Sequence, residues 1–270
     1  MEIRKYFPNK PMPDMSRPLY LIIPAAGLGL RMGISDSKQF LDIGGMPVLA
    51  RTLLAFSDFQ KNRRVPLHAV IVTNVDNIDR TCELVEKYHF DFVELVVEGG
   101  ATRQDSVGCG LKALSELPVP PSDMDPVFVH DGARCMVDQK TLQKCYTGGI
   151  LYDVCVAATP CKNTVKLAQQ VSEAFTAAKS EDSPLLVDKT LPRDLLYEVQ
   201  TPQVFRYRSL LKVHEYARMS GIQATDDTAL AEACGIPVRL LPCSYGNIKI
   251  TTPEDVVMAE LMLKNRENQK

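Results

Sequence analysis

The sequence predicts an α/β fold, a Rossmann-like and mostly parallel sheet with helices on both faces. Three observations carry this. Short runs of strand length, rich in β-branched residues, alternate with stretches of helical spacing. The runs are apolar almost throughout, as strands covered on both faces must be, rather than at every second position. The first run ends in a loop of small residues, and such sheets open their binding crevice at the carboxyl ends of strands.

In chain order, residues 1–17 read as a flexible N-terminal extension, with frequent prolines and no apolar stretch of signal-peptide type. Residues 18–270 read as a single domain, a length sufficient for one sizeable core. Strands are expected at YLIIPA (20–25), HAVIVT (68–73), FVELVVE (92–98), PVFVHD (126–131) and DVCVAAT (153–159). Helices are expected between them at 48–56, 78–88, 103–117 and 139–146. The rhythm breaks near Cys161, and about 162–200 reads as a hairpin arm inserted in the domain. Order resumes with a helix over 206–221 stopped by Gly221. Asp226 and Asp227 stand near the start of the next helix, where negative charge suits the helix dipole. IPVRLLPC and NIKITT read as strands, and the last helix starts with Thr252 as N-cap and Pro253 at its first position.

Composition narrows the function. Apolar residues make up 45% and charged residues 24%, with a formal net charge of −2. That balance fits an ordinary soluble protein and offers no bulk attraction to nucleic acid or an anionic membrane. No run approaches the roughly 20 apolar residues of a membrane span. The eight cysteines form no CxxC pair and sit mostly in apolar runs, which reads as reduced thiols in a cytoplasmic protein.

The chemistry concentrates in four stretches. In PAAGLGLRMG the glycines Gly27, Gly29 and Gly33 allow backbone amides close to an anion. Their spacing is G-x-G-x-x-x-G, and no ribose-binding acid follows roughly 20 residues on, so a nicotinamide-dependent oxidoreductase is disfavoured. A Walker loop is excluded too, because Gln39 rather than Ser or Thr follows Lys38. What remains is either a tight βα turn or a loop placing Arg31 and Lys38 over a phosphate-sized space. In VHDGAR, Asp131 at a strand exit is suited to hold Mg²⁺ against nucleotide phosphates, or else it is a turn aspartate. His130 reads as packed against the sheet. In EGGATRQDSV, Thr102 can cap a helix, or Gly100 and Ser106 can receive a base. In NIKITTPED, Lys249 lies between Ile248 and Ile250 and points away from them, toward a cleft. Three such cations and a metal on Asp131 would serve transfer at phosphorus, which needs positioning and charge neutralisation more than covalent chemistry.

With these residues assembled, the chain resembles the 2-C-methyl-D-erythritol 4-phosphate cytidylyltransferase family of the non-mevalonate isoprenoid pathway, from about Tyr20 to Leu263. The motifs PAAGLGLRMG…KQFLDIGG, GGATRQDSV, FVHDGAR, KNTVK, QTPQVF, ATDDTALAEACG and NIKITTPED occur in the family's order. The resemblance implies a nucleotidyltransferase-type fold and a reaction of CTP with a polyol phosphate, assisted by Mg²⁺ or another divalent cation. It implies that Arg31, Lys38 and Lys249 are catalytic, that Ala25, Ala26, Gly27, Gly100, Ser106 and Gly132 surround cytidine, and that Asp131 takes the metal. Arg134, Thr201, Thr225 and Asp226 would line the alcohol side. Thr164 and Arg193 on the arm would complete a partner's site, which requires a homodimer joined through that β-arm. The chain departs from the family pattern in a longer arm, in Pro192 before Arg193 and in Cys135 after Arg134. Two other readings stay open: a ribitol-5-phosphate cytidylyltransferase making CDP-ribitol, which shares most motifs, and a non-catalytic nucleotide-binding domain.

Overall fold

The computed structural model describes residues 14–27, 37–170 and 185–268. Arg31, Gly29 and Gly33, most of the N-terminal extension and the middle of the arm lie outside them.

The chain runs β1 (Leu19–Pro24), α1 (Val48–Arg63), β2 (Leu67–Thr73), α2 (Ile78–Lys87), β3 (Val93–Glu98), α3 (Arg103–Ser115) and β4 (Pro126–Val129). There follow α4 (Gln139–Leu151), β5 (Val154–Pro160), β6 (Lys166–Gln170), β7 (Leu185–Thr190) and β8 (Tyr197–Arg206). The rest is α5 (Tyr207–Ser220), α6 (Asp227–Ala233), β9 (Arg239–Pro242) and α7 (Pro253–Glu267). Seven strands form one sheet in the order β3-β2-β1-β4-β8-β5-β9. Strands β6 and β7 pair antiparallel in a separate two-stranded sheet, at the position of the expected arm.

The apolar runs explain the layering, because the central strands β1, β2, β4 and β5 must hide both faces, while the edge strands β3 and β9 stay partly exposed. Along β1, Leu19, Leu21 and Ile23 pack with Leu53 and Phe56 of α1 and Leu142 and Tyr146 of α4. Tyr20 and Ile22 face the opposite way, onto Val107 and Leu114 of α3 and Leu210 and Val213 of α5. A third cluster joins Ile43, Val48, Ala133 and Ile250 to Ala259 of α7. The crossing of α3 over the sheet depends on one small residue, since a Cβ on Gly110 would lie 2.5 Å from Ile22 Cγ2 and 3.0 Å from Val72 Cγ2. Helix ends follow the sequence signals. Gly221 closes α5 at φ +66°, and Thr252 with Asp255 forms a capping box before Pro253. No helix among the described residues is long and apolar enough to cross a membrane.

Two expectations need correction. Strand β8 runs antiparallel between β4 and β5 and begins at Tyr197, inside the stretch read as arm. NIKITT is not a strand: residues 247–252 run irregularly, with Ile250 N bonded to Ala133 O at 2.8 Å.

His130, directly after β4, is fully buried with its ring edge-on to Phe56. Its Nε2 lies 3.1 Å from Arg134 O, an acceptor only, so Nε2 carries the proton. Its Nδ1 then accepts from the Thr201 hydroxyl at 3.1 Å. Burial, opposed by the bond to the Arg134 carbonyl, pulls its pKa down to about 4 from the usual 6.5.

Two predictions follow from this packing. Gly110→Ala should cost about 1–3 kcal/mol, seen as a lower urea midpoint at unchanged m-value. His130 contributes stability fully above pH 6.5 and loses it as pH falls toward 4, because the unfolded chain binds the proton that the fold refuses. The loss approaches about 1.4 kcal/mol per pH unit in that window. Unfolding free energies measured against pH should therefore fall more steeply for the wild type than for His130→Asn.

Candidate active site

A cleft opens where the strand order reverses, between the carboxyl ends of β1 and β4. Its lining includes Ala26 and Gly27 after β1, Gly100 and Ser106 around the start of α3, and Asp131 after β4. Lys38, Gln39, Thr102, Arg103 and Lys249 complete the polar part of its wall. The loop after β1 is tied by Gln39, whose amide donates to the carbonyls of Ala25 and Gly27. Lys38 is mostly buried and donates to Ile250 O at 3.1 Å, which joins this loop to the segment carrying Lys249.

Asp131 is the electrostatic centre. Its backbone N–H donates to Thr201 Oγ1 at 3.2 Å, and Thr201 is itself buried in β8. Lys249 Nζ lies 2.9 Å from Oδ2, Arg134 Nε 3.4 Å from Oδ2, and Arg103 Nε 3.4 Å from Oδ1. Burial pushes this carboxyl's pKa up, but Lys249, Arg103 and Arg134 together outweigh it and hold Asp131 well below the usual carboxylate range. Arg103 also bonds Asp227 Oδ2 at 2.7 Å, and His214 Nε2 donates to Asp227 Oδ1 at 3.0 Å. Burial opposes ionisation of Asp227, while His214 and Arg103 more than offset it. Among the described residues this cluster sets the cations Arg103, Arg134 and Lys249 against the two carboxylates, while Lys38 on the same cleft wall is held on the Ile250 carbonyl. A positive excess of this kind, fixed before a ligand arrives, suits an anion.

Most of the expected residues converge here. Ala25 is buried just under the cleft, and Gly132 sits beside it with its N–H on Pro24 O. Ser106 lines the cleft while its hydroxyl donates to Thr102 O at 2.9 Å, and Thr102 forms a capping box with Asp105. The capping and the lining roles of this motif therefore coexist. Asp226 is the N-cap of α6, its carboxylate accepting from Ala229 N and Thr228 Oγ1, with Thr225 exposed before it. Thr164 and Arg193 are exposed at the base of the arm, and neither lines the cleft. Arg103 and Asp227 join the cleft's ionic cluster, although the sequence pattern points to Asp227 only as a helix-dipole partner and to Arg103 not at all. The available signal was an arginine at the first position of a helix, which opposes the dipole unless a carboxylate stands near.

Among the described residues no group of three or more His, Cys, Asp or Glu side chains could hold an ion. Asp131, an ionised carboxylate on the cleft wall, would fit Mg²⁺ by giving it an oxygen in exchange for Lys249, since Mg²⁺ keeps waters and takes much of its coordination from substrate phosphates.

The family model for 2-C-methyl-D-erythritol 4-phosphate cytidylyltransferase (IspD) matches residues 19–265. The enzyme of that name from Dehalococcoides mccartyi is 42% identical over 244 residues, covering 90% of this chain and 95% of the relative. That from Desulforamulus reducens is 41% identical, covering 91% and 95%. Among solved structures, 4-diphosphocytidyl-2C-methyl-D-erythritol synthase from Anaerococcus prevotii superposes with a TM-score of 0.72 at 30% identity, covering 92% of this chain and 99% of that one. The Thermus thermophilus cytidylyltransferase superposes at 0.66 with 28% identity, covering 92% and 99%. A cleft at the strand reversal, ringed by cations and matched along nearly the whole chain, leads to one conclusion: the chain belongs to the 2-C-methyl-D-erythritol 4-phosphate cytidylyltransferase family.

Proposed function

We propose that this chain transfers the cytidylyl group of CTP to 2-C-methyl-D-erythritol 4-phosphate, giving 4-diphosphocytidyl-2-C-methyl-D-erythritol and pyrophosphate. The observation that carries the reading is the cation cluster around Asp131, set beside the backbone rim of Ala26, Gly27 and Gly100 in a chain of this family. A phosphate oxygen of the alcohol substrate attacks the α-phosphorus of CTP. The new P–O bond forms as the α–β anhydride bond breaks, and its electron pair leaves with pyrophosphate. The reaction needs no covalent enzyme intermediate; the protein aligns the groups and neutralises charge.

In this reading Lys38 and Arg31 stabilise the five-coordinate phosphorus and the leaving pyrophosphate. Ala25, Ala26, Gly27, Gly100, Ser106 and Gly132 enclose cytidine. Lys249 bridges CTP and the substrate phosphate, and Arg134, Thr201, Thr225 and Asp226 line the alcohol side. Asp131 would hold Mg²⁺, which supplies charge neutralisation on the phosphate oxygens. Thr164 and Arg193 serve the site of a second copy. Their exposure away from their own cleft supports this, as do Leu185, Leu186, Val187 and Leu195 of the arm, all more than half exposed. Eight unpaired cysteines favour a reducing, cytoplasmic setting.

Purified protein given CTP, Mg²⁺ and methylerythritol phosphate should release pyrophosphate. Release with ribitol 5-phosphate alone would move the substrate assignment, and release with neither would end the enzymatic reading. Lys38→Ala should lower kcat by about 10²–10³-fold with the far-UV circular dichroism unchanged.

A further inference from the structure

Lys249 lies on a segment without a strand ladder, yet its ammonium is placed on Asp131 at 2.9 Å. From Ser244 to Lys249, no backbone–backbone hydrogen bond reaches another element among the described residues; contacts resume with Ile250 N on Ala133 O. Something else must hold this stretch. Asn247 is fully buried, and its Nδ2 lies 2.7 Å from Thr201 O and 3.0 Å from Gln200 Oε1. A backbone carbonyl only accepts, so the orientation of the amide is settled by Thr201. The carbonyl of Asn247 in turn accepts from Arg134 Nη1 at 2.9 Å. Thr201, the residue that receives the Asn247 amide, also receives the Asp131 N–H on its hydroxyl.

We propose that Asn247 is a positioning residue: it clamps the segment carrying Lys249 to β8 and steadies Arg134, so that both cations meet Asp131. One strand thus sets the carboxylate and its cations in a common frame. A ladder would have held the segment along its length, whereas here it is held at points: the Tyr245 hydroxyl donates to Pro160 O at 2.8 Å nearer its start, and the buried Asn247 amide is the side-chain tie two residues from the lysine. This rests on the reading of the cleft given above.

A coupling experiment separates positioning from a general structural role. Asn247→Ala should fold cooperatively and lose kcat by about 100-fold, the scale of a small displacement of a reacting group. In a Lys249→Ala background the same change should cost no more than about ten-fold, the remainder acting through Arg134. If the two losses multiply in full, or if folded Asn247→Ala keeps wild-type kcat, the proposal is wrong. Should Asn247→Ala fail to fold, Gln200→Leu removes one of the two acceptors. It should lose kcat by about ten-fold in the wild type and little in Lys249→Ala, and unchanged kcat would overturn the proposal. An inactive wild-type protein would instead count against the reaction itself.

Discussion

Asp131 is a buried carboxylate that stays ionised, and the geometry of the cleft depends on how that charge is compensated. Taking such a group out of water costs several kcal/mol unless charges and hydrogen bonds offset it. The compensation comes from three separate places in the chain: Arg103 at the start of α3, Arg134 in the turn after β4, and Lys249 ahead of α7. Each cation is a long, mobile side chain whose ordering is itself unfavourable. Convergence on one carboxylate confines all three, and Asp227 with His214 confines Arg103 a second time from behind. Among the described residues the cluster holds three ordered cations against two carboxylates, the condition under which charge stabilisation at phosphorus needs little reorganisation.

Packing supplies the frame for that arrangement. Two apolar layers flank the sheet, so its strand ends are held in register independently of the polar groups they carry. The antiparallel strand β8 brings polar side chains into this frame. Gln200, Thr201 and Gln203 are nearly inaccessible, and each has a partner that matters to the cleft. Thr201 takes the Asp131 N–H, Gln200 takes the Asn247 amide, and Gln203 takes the Asp227 N–H. Buried polar groups hold position well when satisfied, because the low dielectric penalises any arrangement that leaves them unpaired.

The same polarity explains why β8 was illegible as sequence. YEVQTPQVFR alternates neither like a half-exposed strand nor reads as an apolar run, and Pro202 demotes a strand assignment. Its burial pattern comes from neighbours on both sides, β4 and β5, which local patterning does not contain. NIKITT failed in the opposite sense. Its alternation resembles a strand, and Ile250 is buried while Lys249 reaches the cleft as the alternation requires, but the ladder is missing. Alternation reports which way side chains point, and a loop anchored at intervals satisfies it as well as a strand.

What the sequence determined by itself is local or ordinal. The apolar runs specified strands, those in the middle of the sheet buried on both faces; Thr252, Pro253 and Gly221 specified helix ends; and the order of motifs specified the family. These depend on neighbours a few residues apart, whose interactions hold in almost any context. The tertiary structure alone decided the ionic partners. Arg103 lies 28 residues from Asp131 and 124 from Asp227, yet it bonds both. A charge acts on whatever lies within a few ångströms, and such distances follow from how helices seat on the sheet rather than from spacing along the chain.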